Sequence, residues 1–276
     1  MTAVTEQRGT VDGIETRWLQ APVADGRAPT LYAHGVPTAG WEWRDFLAQT
    51  GGYAPDLPGF GSSDKLASFD FSIDGYASWL EAYVDQLGLE RLSLVVHDWG
   101  AVGLALAQRM PERIERLVVI CAVPFLPGYR WHFVARRWRT RLVGELSMGF
   151  TSKFALRYVL DKSNREPLPK EFVDSTWEHF DHGTQRAILK LYRSAPPDVL
   201  AAAGERLGEL HCPALVVWGG RDPYLSTDFA QRYADALGGE TSVEILDDAG
   251  HWPWLDEPAL IERVAGFLSG DRSVAP

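Results

Sequence analysis

Cysteine is scarce, with Cys121 and Cys212 the only two in 276 residues. Neither belongs to a CxxC pair or a Cys/His cluster. That excludes a zinc module and a disulfide framework, and leaves free thiols buried beside apolar segments as the expectation. Basic charge is also short: 27 Lys and Arg against 37 Asp and Glu give a net charge of −10. No cationic run is long enough to clamp a phosphate backbone, so nucleic acid is not an expected partner. The densest basic stretch, Arg136-Arg137-Trp138-Arg139-Thr140-Arg141, reads as a solvated helix face. No apolar run approaches the ~20 residues of a membrane span. The opening MTAVTEQRGT lacks the apolar core of a secretion signal. A cytoplasmic protein with no membrane partner, monomeric or homodimeric, is expected. Repeats and low-complexity tracts are missing too, and only the tail after Ser269 reads as disordered.

What is present is enough apolar material, 46% of the chain, for a large single core. Residues 8–20 alternate loosely around Asp12-Gly13 and predict a β-hairpin. PTLYAH (29–34) is a short apolar strand, and GGYAPDLPGFGSSDK (51–65) a short strand running into a glycine-rich loop. Tyr76, Leu80, Tyr83 and Leu87 form a helical stripe over 74–87, with Asp74 as the expected cap. LSLVVH (92–97) and ERLVVICAV (115–123) are continuous β-branched runs of the kind buried on both faces of a parallel sheet, with helical AVGLALAQRM between them. The alternation stops over 125–211, a Trp- and Arg-rich stretch with no convincing strand. It resumes with PALVVWG (213–219), a helix around 227–237, TSVEIL (241–246) and a helix over 257–268. The expected architecture is α/β: a doubly wound, mostly parallel core from 1–124 and 212–276, with 125–211 inserted as a helical cap over the strand ends.

Residues 95–101 read VVHDWGA, which puts Asp98 where a buried strand hands over to a helix. Small residues at Gly100 and Ala101 allow the sharp strand-to-helix elbow that aims its central side chain out of the sheet top. Helix-start N–H groups would keep such a carboxylate charged. Two further features follow in chain order. WGGRDPY places Asp222 beyond one strand, and DDAGHWPW places His251 beyond the last. Asp98, Asp222 and His251 thus read as nucleophile, acid and base.

On these residues the chain resembles the α/β-hydrolase superfamily, in its aspartate-nucleophile branch of epoxide hydrolases and haloalkane dehalogenases. The likeness rests on HGVP (34–37), DLPGFGSSDK (56–65), VVHDWG (95–100), WGGRD (218–222) and AGHW (249–252). It implies an eight-stranded α/β-hydrolase sheet with a helical cap and no metal, nucleotide or redox cofactor. It also implies an oxyanion hole from the backbone N–H groups of Val36 and Trp99, with His34, Pro37, Phe125 and Trp252 lining the substrate pocket. A carboxylate attacks a saturated carbon, displaces a leaving group and becomes an alkyl ester that water, activated by the histidine, then cleaves.

The two branches differ in how the departing atom is stabilised. A ring-opened alkoxide needs an O–H donor, and in KLYRSAP (190–196) Tyr192 resembles the second cap tyrosine of epoxide hydrolases. Tyr129 and Tyr158 are the candidates for the first. A halide needs two N–H donors. The pattern from Pro37-Thr38 to Trp43-Arg44 and the VVHDWG spelling resemble dehalogenases, but Val36 stands where many carry an asparagine donor, so Trp131 or Trp138 would have to substitute. Fluoroacetate-type enzymes carry an arginine after the nucleophile, where this chain has Trp99. The balance leans to epoxide hydrolysis of a hydrophobic small molecule, with haloalkane dehalogenation as the alternative and a non-catalytic binding protein as a third reading.

Overall fold

Asp12 and Gly13 both take positive φ, 46° and 76°, which gives the tight two-residue turn that matches strand twist. They join β1 (Thr5–Val11) to β2 (Ile14–Ala21) in an antiparallel hairpin. In the computed structural model, which describes residues 2–270, this hairpin borders an eight-stranded sheet. The other strands are β3 (Thr30–Ala33), β4 (Gly52–Pro55), β5 (Leu92–Asp98), β6 (Ile114–Ala122), β7 (Ala214–Gly219) and β8 (Thr241–Leu246). Their order is β1-β2-β4-β3-β5-β6-β7-β8, parallel from β4 onward, with β2 antiparallel to β4. The tail expected to be disordered lies, from residue 271, outside the described residues.

Every residue of β5 is buried, as its unbroken apolar run requires. The strand order reverses between β3 and β5. Such a switch point opens a crevice at the carboxyl ends of its two strands, here residues 34–37 and 98–99. Helix Ile73–Gln86 buries Tyr76, Leu80 and Tyr83 as the stripe predicts. Its cap is Ser72, whose hydroxyl accepts from the Gly75 N–H at 3.0 Å, and not Asp74. Asp74 lies within the first turn and pairs with Arg109 instead. Cys121 is buried, whereas Cys212 is only partly so.

Between β6 and β7 the described residues contain no strand but six α-helices, from Phe133–Arg139 to Pro197–Ala202. Two seams tie this helical region to the sheet. In one, Thr184 Oγ1 donates to the Gly59 carbonyl at 2.9 Å and Lys65 pairs with Asp181 at 2.6 Å. In the other, the His251 N–H donates to the Ser163 carbonyl at 2.8 Å, and Asn164 exchanges two hydrogen bonds with the Trp252 backbone.

At the crevice the backbones of β3 and β5 meet without side chains between them. A Cβ on Gly100 would collide with the Ala33 carbonyl, and one on Gly35 would sit 2.7 Å from the Asp98 Cβ. Gly100→Ala is therefore expected to cost on the order of 2–4 kcal/mol of stability, read as a lower urea midpoint at unchanged slope. Ala at Gly149, where nothing lies within 4 Å, serves as the near-neutral control.

Candidate active site

Asp98 ends β5 with φ 48° and ψ −120°, a conformation that non-glycine residues adopt only under constraint. The constraint comes from Gly35 and Gly100, which let the neighbouring chain close in on both sides. The carboxylate is thereby turned off the sheet into the crevice. Its Oδ1 accepts from the Val36 N–H at 2.8 Å. Its Oδ2 lies 3.7 Å from His251 Nε2. Burial pushes the Asp98 carboxyl above its ordinary pKa, while His251, His97 and the backbone N–H groups of Val36 and Trp99 pull the other way.

His251 sits in the loop after β8, its ring almost fully buried. Nδ1 bonds to Asp222 Oδ2 at 2.7 Å, and because a carboxylate only accepts, Nδ1 carries the proton. Nε2 is left facing Asp98. Asp222 is aimed by two N–H groups of its own loop, Tyr224 at 2.8 Å and Leu225 at 3.1 Å, both on Oδ1. Burial disfavours charge on the imidazole, but Asp222, Asp98 and Glu42 outweigh it and raise the His251 pKa.

Glu42 is a component that the sequence did not reveal. It is buried and accepts from the Gly35 N–H at 3.1 Å and from the Trp252 indole at 3.3 Å. His97 stands against it, Nδ1 to Oε1 at 3.5 Å, and donates Nε2–H to the His251 carbonyl at 2.9 Å. Burial works against charge on Glu42, yet His97 and His34 hold its carboxyl below the ordinary range. One carboxylate thus touches the residue before Val36, the residue after His251 and the residue before Asp98. Inside the apolar run of a 3₁₀ turn, GWEW, nothing marked it as more than a surface glutamate.

A cavity of about 300 Å³ opens above Asp98, and Val36, Pro37, His251 and Trp252 form its floor. The Val36–Pro37 peptide is cis. Tyr192 reaches the same cavity from helix His182–Ser194, and its hydroxyl donates to no described residue. Burial and the nearby Asp98 charge raise its pKa well above the ordinary phenol value, so the phenol keeps its proton. Trp138 also lines the cavity, its indole N–H without a hydrogen-bond partner among the described residues.

Four expected pocket or cap residues are placed elsewhere. Trp131 stacks on Trp99 but donates its indole N–H to the Ala195 carbonyl at 3.0 Å, so it has none to offer a leaving group. Tyr158 is 62% exposed, under Lys162 and away from the cavity. His34 is sealed beneath the floor, where its Nε2 accepts from the Leu57 N–H at 2.9 Å. Phe125 is fully buried against the sheet and does not reach the cavity. The Trp99 indole N–H is buried beside the Tyr192 ring, whose centroid lies 5.1 Å from its own.

The cavity wall includes two groups that sequence reasoning passed over. Tyr224 packs edge-on to His251 and shares a hydrogen bond with Ser163 at 2.7 Å, its pKa pushed up to about 12 by burial. His132 caps helix Phe133–Arg139 by accepting the Ala135 N–H on Nδ1 at 3.4 Å. Burial lowers its pKa to about 4, so the ring is neutral and, with Nδ1 accepting, its proton sits on Nε2. Cys121 Sγ lies with Asp222 and His251 in the one group of described donors spaced to grip a metal ion. Burial and Asp222 keep that thiol protonated, and the other two donors are bonded to each other.

A buried carboxylate held on one oxygen by the Val36 N–H, facing an imidazole aimed by a second carboxylate, suits displacement at carbon followed by ester hydrolysis. Comparison with known proteins points the same way. The sequence profile of the Alpha/beta hydrolase family matches residues 31–264. A haloalkane dehalogenase of Mycolicibacterium paratuberculosis is 30% identical over 260 residues, 87% of this chain and 83% of that protein. One from Mycobacterium marinum is 31% identical, over 88% and 85% of the two chains. The haloalkane dehalogenase DbeA of Bradyrhizobium elkani superposes with a TM-score of 0.84 at 26% identity, covering 98% of this chain and 99% of its own. The epoxide hydrolase CorEH shares the fold, at a TM-score of 0.82 and 19% identity over 97% and 99% of the two chains. The chain belongs to the alpha/beta hydrolase family, as a hydrolase of the aspartate-nucleophile branch that holds the haloalkane dehalogenases and epoxide hydrolases.

Proposed function

We propose that this hydrolase opens an epoxide of a hydrophobic small molecule to a vicinal diol through an ester on Asp98. Oδ1 is held by the Val36 N–H, so Oδ2 is the free oxygen and attacks a ring carbon. The ring C–O bond breaks, and its electron pair takes the phenolic proton of Tyr192. His251 Nε2 then removes a proton from water, whose oxygen attacks the Asp98 carboxyl carbon. The oxyanion develops on Oδ1, against the Val36 and Trp99 N–H groups. Collapse expels the diol oxygen, which takes the imidazolium proton, and the proton left on the new carboxyl restores Tyr192 through solvent.

Esterification also readies the base. Asp98 carries one of the charges that raise the His251 pKa, and alkylation removes that charge as the ring must give up its proton.

The observation that carries the epoxide reading is Tyr192, a protonated phenol in the same cavity as Asp98 whose O–H is donated to no described residue. Haloalkane dehalogenation is the second reading, favoured by the names of the relatives at 30–31% identity. Val36 supplies no side-chain donor to a halide, so His132 and Trp138 would serve.

Incubation with styrene oxide and with 1-bromobutane separates the two: diol is expected, and bromide without diol would transfer the assignment to the second reading. Tyr192→Phe should lower diol formation by roughly 10²–10⁴-fold. In His251→Gln the ester should accumulate, read by mass spectrometry as substrate mass on the Asp98 peptide. If no substrate leaves an adduct, the covalent route is wrong. Glu42→Gln tests the buried glutamate. The base must be neutral, so ester hydrolysis is lost as pH falls through the His251 pKa. Removing a negative charge that raises this pKa moves the acid limb of single-turnover rates to lower pH, and an unmoved limb would show Glu42 to be uncoupled.

A further inference from the structure

The helices around the cavity mouth carry an apolar surface that their own fold does not cover. Phe150 is 83% exposed, Phe154 80% and Leu142 76%, and Phe133, Leu146 and Tyr158 are each at least 59% exposed. Leu142, Leu146 and Phe150 stand four apart and are joined by consecutive helical hydrogen bonds, so they form one stripe. Phe133 and Phe150 also line the cavity, which places the patch at its entrance. Surfaces of this kind mark an interaction site.

Charge identifies the partner. In a chain of net charge −10, residues 130–165 hold nine Arg and Lys against Glu145 and Asp161, a surplus of seven. Both acids are already paired, with Arg193 at 2.6 Å and Arg157 at 3.2 Å. Lys153 and Arg165 are met by Asp174 and Glu166, which leaves Arg130, Arg136, Arg137, Arg139, Arg141 and Lys162 without an acidic partner among the described residues. The cations interleave with the exposed rings: Arg137 lies over Phe133 at 5.0 Å and Lys162 over Tyr158 at 5.7 Å. A second copy docked through this face would set two cationic surfaces together. We propose that the 130–165 face seats on an anionic lipid bilayer, with Leu142, Leu146, Phe150 and Phe154 entering the headgroup boundary and the arginines meeting lipid phosphates. No described helix is long and apolar enough to cross a membrane, so the contact is interfacial. The cavity then opens toward the phase where a hydrophobic substrate concentrates, whichever bond the site cleaves.

Co-sedimentation of the full chain with vesicles of phosphatidylcholine alone and of phosphatidylcholine mixed with phosphatidylglycerol tests this. Binding is expected to the mixed vesicles, weakly or not at all to the neutral ones, and is lost at high salt. Arg136→Glu/Arg141→Glu should weaken partitioning by more than about tenfold. Leu146→Ser/Phe154→Ser should abolish it while turnover of dissolved substrate, which these residues do not contact, is kept as the folding control. Equal binding of the variants and the parent, or no binding to anionic vesicles at low salt, overturns the proposal. Self-association that Leu146→Ser/Phe154→Ser removes, without vesicle binding, would assign the face to a second copy instead.

Discussion

Three carboxylates, Asp98, Asp222 and Glu42, are enclosed within one small volume together with two imidazoles. A buried charge is tolerable only when donors surround it. Most of the local architecture follows from that need. Val36 turns its N–H inward, the Asp222 loop folds back to offer two, and His97 and His251 stand between the acids. Removing any one member would leave another uncompensated. The arrangement is over-determined, which is what allows Asp98 to keep a strained backbone.

The floor of the cavity is therefore built from buried charges and their donors, while its roof is built from helices. The floor is made by strand ends whose glycines admit no side chain. The roof is made by helices that bring tyrosine, histidine and tryptophan side chains over Asp98.

Legibility followed this division. The strands, the elbow and the order Asp98, Asp222, His251 were readable because sheet period and loop chemistry are local properties of the chain. The helix cap at Ser72 was missed because Asp74, two residues on, is an equally good capping type, and only the Gly75 N–H direction decides. Glu42 was invisible because its worth comes from Gly35, Trp252 and His97, partners 7, 210 and 55 residues away along the chain. The roof was read with least success. Trp131 has the right composition and the right neighbours, yet its one donor is spent on the Ala195 carbonyl, a contact between distant turns that no spacing announces. His132, next to it, went unremarked because a histidine in an arginine-rich helix start carries no signature until its Nδ1 is seen to be occupied.

The backbone bond from His251 to Ser163, with the Asn164 clasp on Trp252, rivets the histidine loop to the roof. That edge cannot lift without dragging the imidazole off its carboxylates. Residues 133–160 take no part in either seam, so the mouth of the cavity and the imidazole beneath it are held by separate sets of contacts.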